Sequence, residues 1–240
     1  MNAIISVSDK TIILDLAEFL YTHKFTIYST GGTYEHIKTH LPHCNLEKIS
    51  SLTKFPEILN GRVKTLSPYI YGGILADPLN TDHTKDMTEH NLPFFDVVVV
   101  NLYPFERVSK STADFDECIE NIDIGGVSLI RASSKNFKNT VLLSSPSQYL
   151  SFMENFKPTD NLGISFEERK QLAINGFKHT SNYDSLIYKY LSIETNKSQN
   201  KIKLKYGLNP QQKNSYLSFT NEKGAFQIIN GILGYINVLD

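Results

Sequence analysis

Cysteine is scarce in this chain. Its 240 residues hold two, Cys44 and Cys118, far apart. That excludes a disulfide framework and a cysteine-based zinc site, and it fits a reducing, cytoplasmic setting. Excess charge is also lacking. A formal net charge of −1 gives no electrostatic footprint for nucleic acid or a membrane surface, so neither partner is expected. No apolar run approaches the roughly 20 residues that cross a bilayer. The opening MNAIISVSDK turns polar too soon for a signal peptide. Repeats and low-complexity tracts are missing as well. His36, His40 and His43 include a helical i, i+4 pair, but no carboxylate or cysteine stands at ligand spacing, so no metal is expected. What remains is ordinary globular material, 40% hydrophobic and 20% charged, enough for a sizeable core.

The densest chemistry lies in Ile122–Asn136, IDIGGVSLIRASSKN. Asp123 opens it between two isoleucines. Gly125 and Gly126 follow, and paired glycines let backbone amides approach a ligand with no Cβ in the way. Val127–Ser134 reads as a short helix, ending on Lys135 and Asn136. The first N–H groups of a helix lack intrahelical partners and suit an anion or a polar oxygen. An acid at one end and a lysine at the other fit acid–base work across a ligand. They equally fit an ordinary helix whose end charges complement its dipole.

Earlier in the chain, Asn2–Val7 reads as a buried strand, and Thr11–Tyr21 as a helix. The turn between them carries Ser8, Asp9 and Lys10 at a strand's carboxyl end, where open α/β sheets bind ligands. Phe25–Tyr28 is a second strand. The turn Ser29-Thr30-Gly31-Gly32-Thr33 closes it and leads into a helix over Tyr34–Lys38. Two hydroxyl-rich turns after neighbouring strands resemble a divided phosphate cradle, although Ser and Thr are also plain helix caps. In the segment 51–77, Arg62 and Lys64 share a side of an extended chain, as a phosphate-binding pair or as a solvated basic pair. Pro68 and Gly72-Gly73 predict a shaped loop there rather than a regular element. FDVVVV (95–100) is the clearest strand, β-branched throughout and so covered on both faces. Asn101 and Tyr103 follow at its carboxyl end before Pro104; Tyr103 also reads as a packed ring with its hydroxyl in water. Asp114–Asn121 reads as a helix and Thr140–Leu143 as a strand. Ser165-Phe-Glu-Glu168 is a capping box opening a helical stretch, broken near Asn175-Gly176, that reaches about Leu191. The polar, aperiodic segment 192–203 reads as a linker. The rest is too short and too poor in apolar residues to form its own core.

Seven short motifs then stand in order: SVSDK (6–10), STGGT (29–33), GRVKTL (61–66), NLYPF (101–105), IDIGG (122–126), RASSKN (131–136) and HTSNYD (179–184). In this order they resemble the bifunctional purine biosynthesis family that joins an IMP cyclohydrolase to an AICAR formyltransferase. The resemblance implies an α/β, methylglyoxal-synthase-like fold over 1–146, mainly a parallel sheet flanked by helices. It implies a helical extension over 147–191, a linker over 192–203, and over 204–240 the incomplete start of a formyltransferase-like domain. It implies ring closure of 5-formamidoimidazole-4-carboxamide ribotide to IMP and water, by a homodimer. Ser8, Asp9, Lys10, Thr30, Gly31, Gly32 and Thr33 would bind the nucleotide. Arg62, Val63, Lys64, Thr65, Val100, Asn101, Asp123 and Ile124 would complete the site, with Lys205 and Tyr206 adding contacts. Lys64, Tyr103, Asp123 and Lys135 would be the reacting groups. A helix from about Gly126 to Ser133 would then turn both Asp123 and Lys135 toward the ring being closed. No cofactor is implied for cyclisation; 10-formyltetrahydrofolate would serve only a complete formyltransferase.

This sequence departs from the family at Ser67 and Tyr71, where histidines are usual, and at Lys205 and Gln211, where the pattern has arginine and histidine. Two rival readings share the fold. Methylglyoxal synthase would need a GPMGGD-type loop with aspartate and histidine bases, which are absent. A nucleotide-sensing regulatory module would keep the phosphate turns without needing Lys64, Tyr103, Asp123 and Lys135 together.

Overall fold

In a computed structural model the described residues are 1–112, 114–199, 201–205 and 216–218. They divide into two compact units, Met1–Asp184 and Ser185–Asp240. The first unit is built on five parallel strands: β1 (Asn2–Ser6), β2 (Thr26–Ser29), β3 (Leu46–Lys48), β4 (Val97–Val100) and β5 (Val141–Leu143). Their order is β3-β2-β1-β4-β5. The chain moves outward from β1 to β3, then returns to place β4 on the other side of β1. That reversal leaves a crevice at the carboxyl ends of β1 and β4, the usual ligand position in such sheets.

Alternation along the strands assigns the two faces. Ala3, Ile5, Val97, Val99, Val141 and Leu143 pack in one cluster with α1 (Ile13–Thr22), α2 (Gly31–His40) and α9 (Tyr149–Asn155). On the other face α8 (Gly125–Lys135) lies over β4 and β5 and against α4 (Pro68–Leu75). All four residues of β4 are buried, as its unbroken valines predict.

Between these run α3 (Ile49–Thr53), α5 (Thr81–Glu89), α6 (Phe105–Ser111) and α7 (Phe115–Glu120). The last is capped by Asp114, whose carboxylate accepts from the Asp116 and Glu117 amides. The long helix α10 runs Phe166–Gln199. In the second unit β6 (Lys201–Lys203) pairs antiparallel with β7 (Tyr216–Ser218).

Three expectations are corrected. Pro68 and the Gly72-Gly73 pair form no loop; they lie in α4. Ser67 caps that helix by accepting from the Tyr69 amide at 3.3 Å, and Pro68 suits the first turn, where its missing N–H costs nothing. Gly73 is there for closeness, since a Cβ would strike the Pro93 carbonyl and the Phe95 ring. No break interrupts α10 near Gly176; a Cβ there would collide with Ser134 and Leu142, so this glycine also marks tight packing. The segment 192–203, expected as a linker, is helical as far as Gln199 and then forms β6. It contains neither Gly nor Pro to stop a helix already running.

Candidate active site

The crevice holds a cavity of about 610 Å³, within the range of small-ligand sites. The strand-end turns form one wall. The Ser6 and Thr30 hydroxyls share a hydrogen bond of 2.9 Å. The Val7 amide donates to Thr33 Oγ1 at 3.2 Å, and that hydroxyl donates back to the Val7 carbonyl at 3.0 Å. Asn101 Oδ1 accepts from the Ser8 and Asp9 amides at 2.7 and 2.9 Å, while its Nδ2 donates to the Asp9 carbonyl at 2.8 Å. A single buried amide side chain thus fixes the first turn from β4. Ser8, Lys10, Thr30, Gly32 and Thr33 line the resulting concavity.

The opposite wall is made by the 58–66 loop and the 119–126 segment. Asp123 is its chemical centre. Its Oδ1 accepts from the Gly126 amide at 2.7 Å, so the carboxylate sits on the start of α8. Only glycine permits this: a Cβ at 126 would lie 2.6 Å from Asp123 Oδ2. The Tyr103 amide approaches Oδ2 at 3.4 Å. Burial raises the Asp123 pKa above the ordinary carboxylate value; the two amides and the Lys64 charge oppose that rise without cancelling it. Lys64 and Tyr103 line the same cavity. Behind the wall, the Tyr183 hydroxyl of α10 accepts from the Asp123 amide at 2.9 Å and donates to the Asn121 carbonyl at 3.1 Å. Burial pushes that phenol up to about 12. At the rim Arg62 Nε donates to Glu120 Oε1 at 3.2 Å, and its Nη2 bonds Oε2, with both side chains exposed.

This architecture has known relatives. The MGS-like domain family matches residues 12–128, and the AICARFT/IMPCHase bienzyme family matches residues 133–240. The chain is 42% identical over 254 residues to the bifunctional purine biosynthesis protein PurH of Clostridium perfringens, matching 100% of this chain and 49% of that protein. The first half of the chain thus matches the MGS-like domain family and the second half the AICARFT/IMPCHase bienzyme family. The PurH protein of Fusobacterium nucleatum is 42% identical over 251 residues, again across 100% of this chain and 49% of that protein. The crystal structure of ForH matches with a TM-score of 0.70 and 30% identity, over 80% of this chain and 98% of that one. The chain spans about half the length of the curated relatives it matches.

Of the residues that the family resemblance points to, Ser8, Lys10, Thr30, Gly32, Thr33, Arg62, Lys64, Asn101, Tyr103, Asp123 and Ile124 line the cavity. Others stand aside, each for a visible reason. Asp9 is turned outward, its Oδ1 taken by the amide and hydroxyl of Thr11, which lower its pKa. Gly31, at φ +35, gives its amide to Glu57 Oε1 at 3.0 Å. Val63 pairs its backbone with Ile58. Buried Thr65 packs against Gly125, where a Cβ would come within 3.0 Å of its hydroxyl. Val100 is a core strand residue. Arg62 reaches the cavity without the extended backbone expected of it, since it follows the turn Leu59–Gly61 in a helical conformation.

The expected short helix over 126–133 is also corrected. The helix α8 is continuous to Lys135, so that lysine is an exposed last-turn residue outside this cavity. The helical rise from Gly125 to Lys135 alone is about 15 Å, which sets that lysine a helix length away from the Asp123 end. Lys205 is exposed in the second unit, and Tyr206 and Gln211 lie outside the described residues.

Glu120 is a contribution that sequence reading missed, since it arrives through tertiary packing. Gly61 and Tyr183 stand inside the motifs GRVKTL (61–66) and HTSNYD (179–184), but neither is given a role there. Folding also brings Glu18 to the neighbouring pair His43-Cys44, with ligand-type atoms within 4.8 Å of one another. The arrangement is a Glu18–His43 hydrogen bond of 2.7 Å beside a buried thiol that desolvation raises to about 11. Such a thiol stays neutral and is a poor ligand.

Proposed function

We propose that this chain carries the IMP cyclohydrolase reaction, closing 5-formamidoimidazole-4-carboxamide ribotide to IMP with loss of water. The observation that supports it most is the half-buried Asp123 carboxylate beside Lys64 and Tyr103, across one cavity from a hydroxyl- and amide-lined turn pair. A carboxamide nitrogen is a weak nucleophile, so its proton must leave as it attacks the formyl carbon. Asp123, with a raised pKa and backbone donors fixing it, takes that proton. Lys64 faces the former formyl oxygen, stabilises the charge that builds there and protonates it to a hydroxyl. That hydroxyl leaves as water with a second proton, returned from Asp123, while the former formamide nitrogen gives up its own proton to solvent as the C=N bond forms. Positioned acid–base groups of this kind contribute on the order of 10²–10⁴ in rate. The ribotide phosphate lies between the Ser8–Lys10 and Thr30–Thr33 turns, held by amides, hydroxyls and the Lys10 ammonium. Lys135 is assigned no step within its own chain, because a helix length separates it from Asp123.

The reaction needs no cofactor, and the substrate is a small purine ribotide. The same reading makes the protein cytoplasmic and homodimeric. Among the described residues no helix is long and apolar enough to cross a membrane. Formyl transfer from 10-formyltetrahydrofolate is not expected of this chain alone. The test is direct. Purified chain should convert the formamido ribotide to IMP, followed by absorbance. Tight IMP binding without turnover would instead establish a nucleotide-sensing module.

A further inference from the structure

We propose that Tyr183 is a positioning residue that holds Asp123 in its working orientation by clamping the main chain on either side of Ile122. The proposal rests on the reading of Asp123 as the base. Tyr183 lies on α10 and is 6% exposed. Its hydroxyl spends both hydrogen bonds on the connection between α7 and α8, accepting from the Asp123 amide and donating to the Asn121 carbonyl. That connection is the wall of the cavity, with Ile122, Asp123 and Ile124 all lining it. Asp123 is thereby pinned twice: Tyr183 takes its amide, and the Gly126 amide takes its carboxylate. Packing does not require the hydroxyl. The Tyr183 ring meets Phe105 edge-on at a centroid distance of 6.2 Å, a contact phenylalanine would keep. The hydroxyl's partners lie in the wall, so its effect should reach the carboxyl. The groups acting on that carboxyl are the Lys64 ammonium, the Gly126 and Tyr103 amides, and the phenols of Tyr71 and Tyr183.

Tyr183→Phe in the full chain is the test. Freed of the clamp, the 121–123 backbone relaxes and water reaches the carboxyl. We expect kcat for ring closure to fall about tenfold with KM within about twofold, the split expected when an interaction is used mainly in the transition state. The acid limb of the kcat profile should move down toward the ordinary carboxylate value. A second readout needs no turnover: the Asp123 carboxyl, followed by carbon-13 NMR, should titrate at lower pH in the variant. If the carboxyl titration moves while the wild-type chain shows no ring closure, the clamp stands and the assigned reaction falls. An unchanged titration and an unchanged kcat, with only thermal stability reduced, would overturn the clamp. Phe105→Leu guards against a general packing effect. It disturbs the same ring contact but keeps the hydroxyl, so it should cost stability without moving the Asp123 titration. An equal shift there would also overturn the proposal.

Discussion

The two walls of the cavity are built differently. The strand-end wall is closed on itself: Asn101, Thr30 and Thr33 are buried, and their polar atoms are bonded to neighbouring backbone or hydroxyl groups. The loop wall is open. Leu59, Asn60 and Gly61 take φ values of 54, 53 and 86 in succession, and Leu59 is exposed. A left-handed leucine is unfavourable, and the fastening nearby is the exposed Arg62–Glu120 pair. A preorganised cradle on one side and a lightly held basic loop on the other divide the work. Under the proposed reaction the cradle would fix where the ribotide phosphate goes, and the loop would adjust its cations to it.

The largest effect should come from removing the base that lies against the loop wall. Asp123→Asn leaves the size of the side chain unchanged but cannot accept the proton. Under the proposed reaction kcat should fall at least about 10²-fold while IMP affinity stays within a few fold, by calorimetry. The wild-type kcat profile should show an acid limb above the ordinary carboxylate value of 3.8, because burial raises this group. The sign for stability is the reverse of that for activity. A carboxyl whose folded pKa lies above its unfolded value loses stability as pH rises from the unfolded value through the folded one. Asp123 therefore costs the fold stability where it is ionised and useful. Near-normal turnover by Asp123→Asn would remove the carboxylate from the mechanism.

Breaking the cradle should matter next. Asn101→Ala deletes three hydrogen bonds and leaves the Ser8 and Asp9 amides and the Asp9 carbonyl without that partner. Each unsatisfied buried group costs about 1–3 kcal/mol, less where water reaches it. We expect a clear drop in Tm and a rise in KM of about tenfold, with kcat less affected because Asp123 is untouched. If Tm falls but KM is unchanged, the first turn is structural and does not hold the phosphate.

The same contrast explains what could be read from the sequence. The sheet, its buried valine strand and the ligand edge follow from strand–turn–helix periodicity, which is local. The short edge strand β3 has only Leu46 buried, and α5 has only Met87 buried, so neither offers a pattern to read. Glycine pairs misled in α4 because a glycine's need for space and its freedom to turn look alike in sequence. In the site, Asp9 and Asn101 are both polar residues at strand ends. Only the fold shows that Asn101 turns inward to hold the first turn while Asp9 caps its own exit. On the loop wall Arg62, Lys64 and Asp123 were legible as residue types, but the pairing of Glu120 with Arg62 and the bonds of Tyr183 to the 121–123 backbone come only from tertiary packing.

The smallest effect should come from loosening the loop's fastening, and it should run toward tighter binding. Arg62 offers its fork to Glu120 at the rim, which makes the carboxylate an internal competitor for any anionic ligand. That hydrogen bond holds the Glu120 pKa below the usual carboxylate value, so the pair persists through mildly acidic solution. Glu120→Gln preserves shape, weakens the hold on Arg62 and removes a negative charge near the arriving phosphate. An exposed pair is worth little, so the gain in IMP affinity should be only about two- to fivefold at low ionic strength. It should shrink toward nothing near 0.15 M salt, where the Debye length is about 8 Å. Calorimetry at two salt concentrations measures both. A loss of affinity in Glu120→Gln, independent of salt, would mean that Glu120 itself contacts the nucleotide, and the loop wall would then be no less preorganised than the cradle.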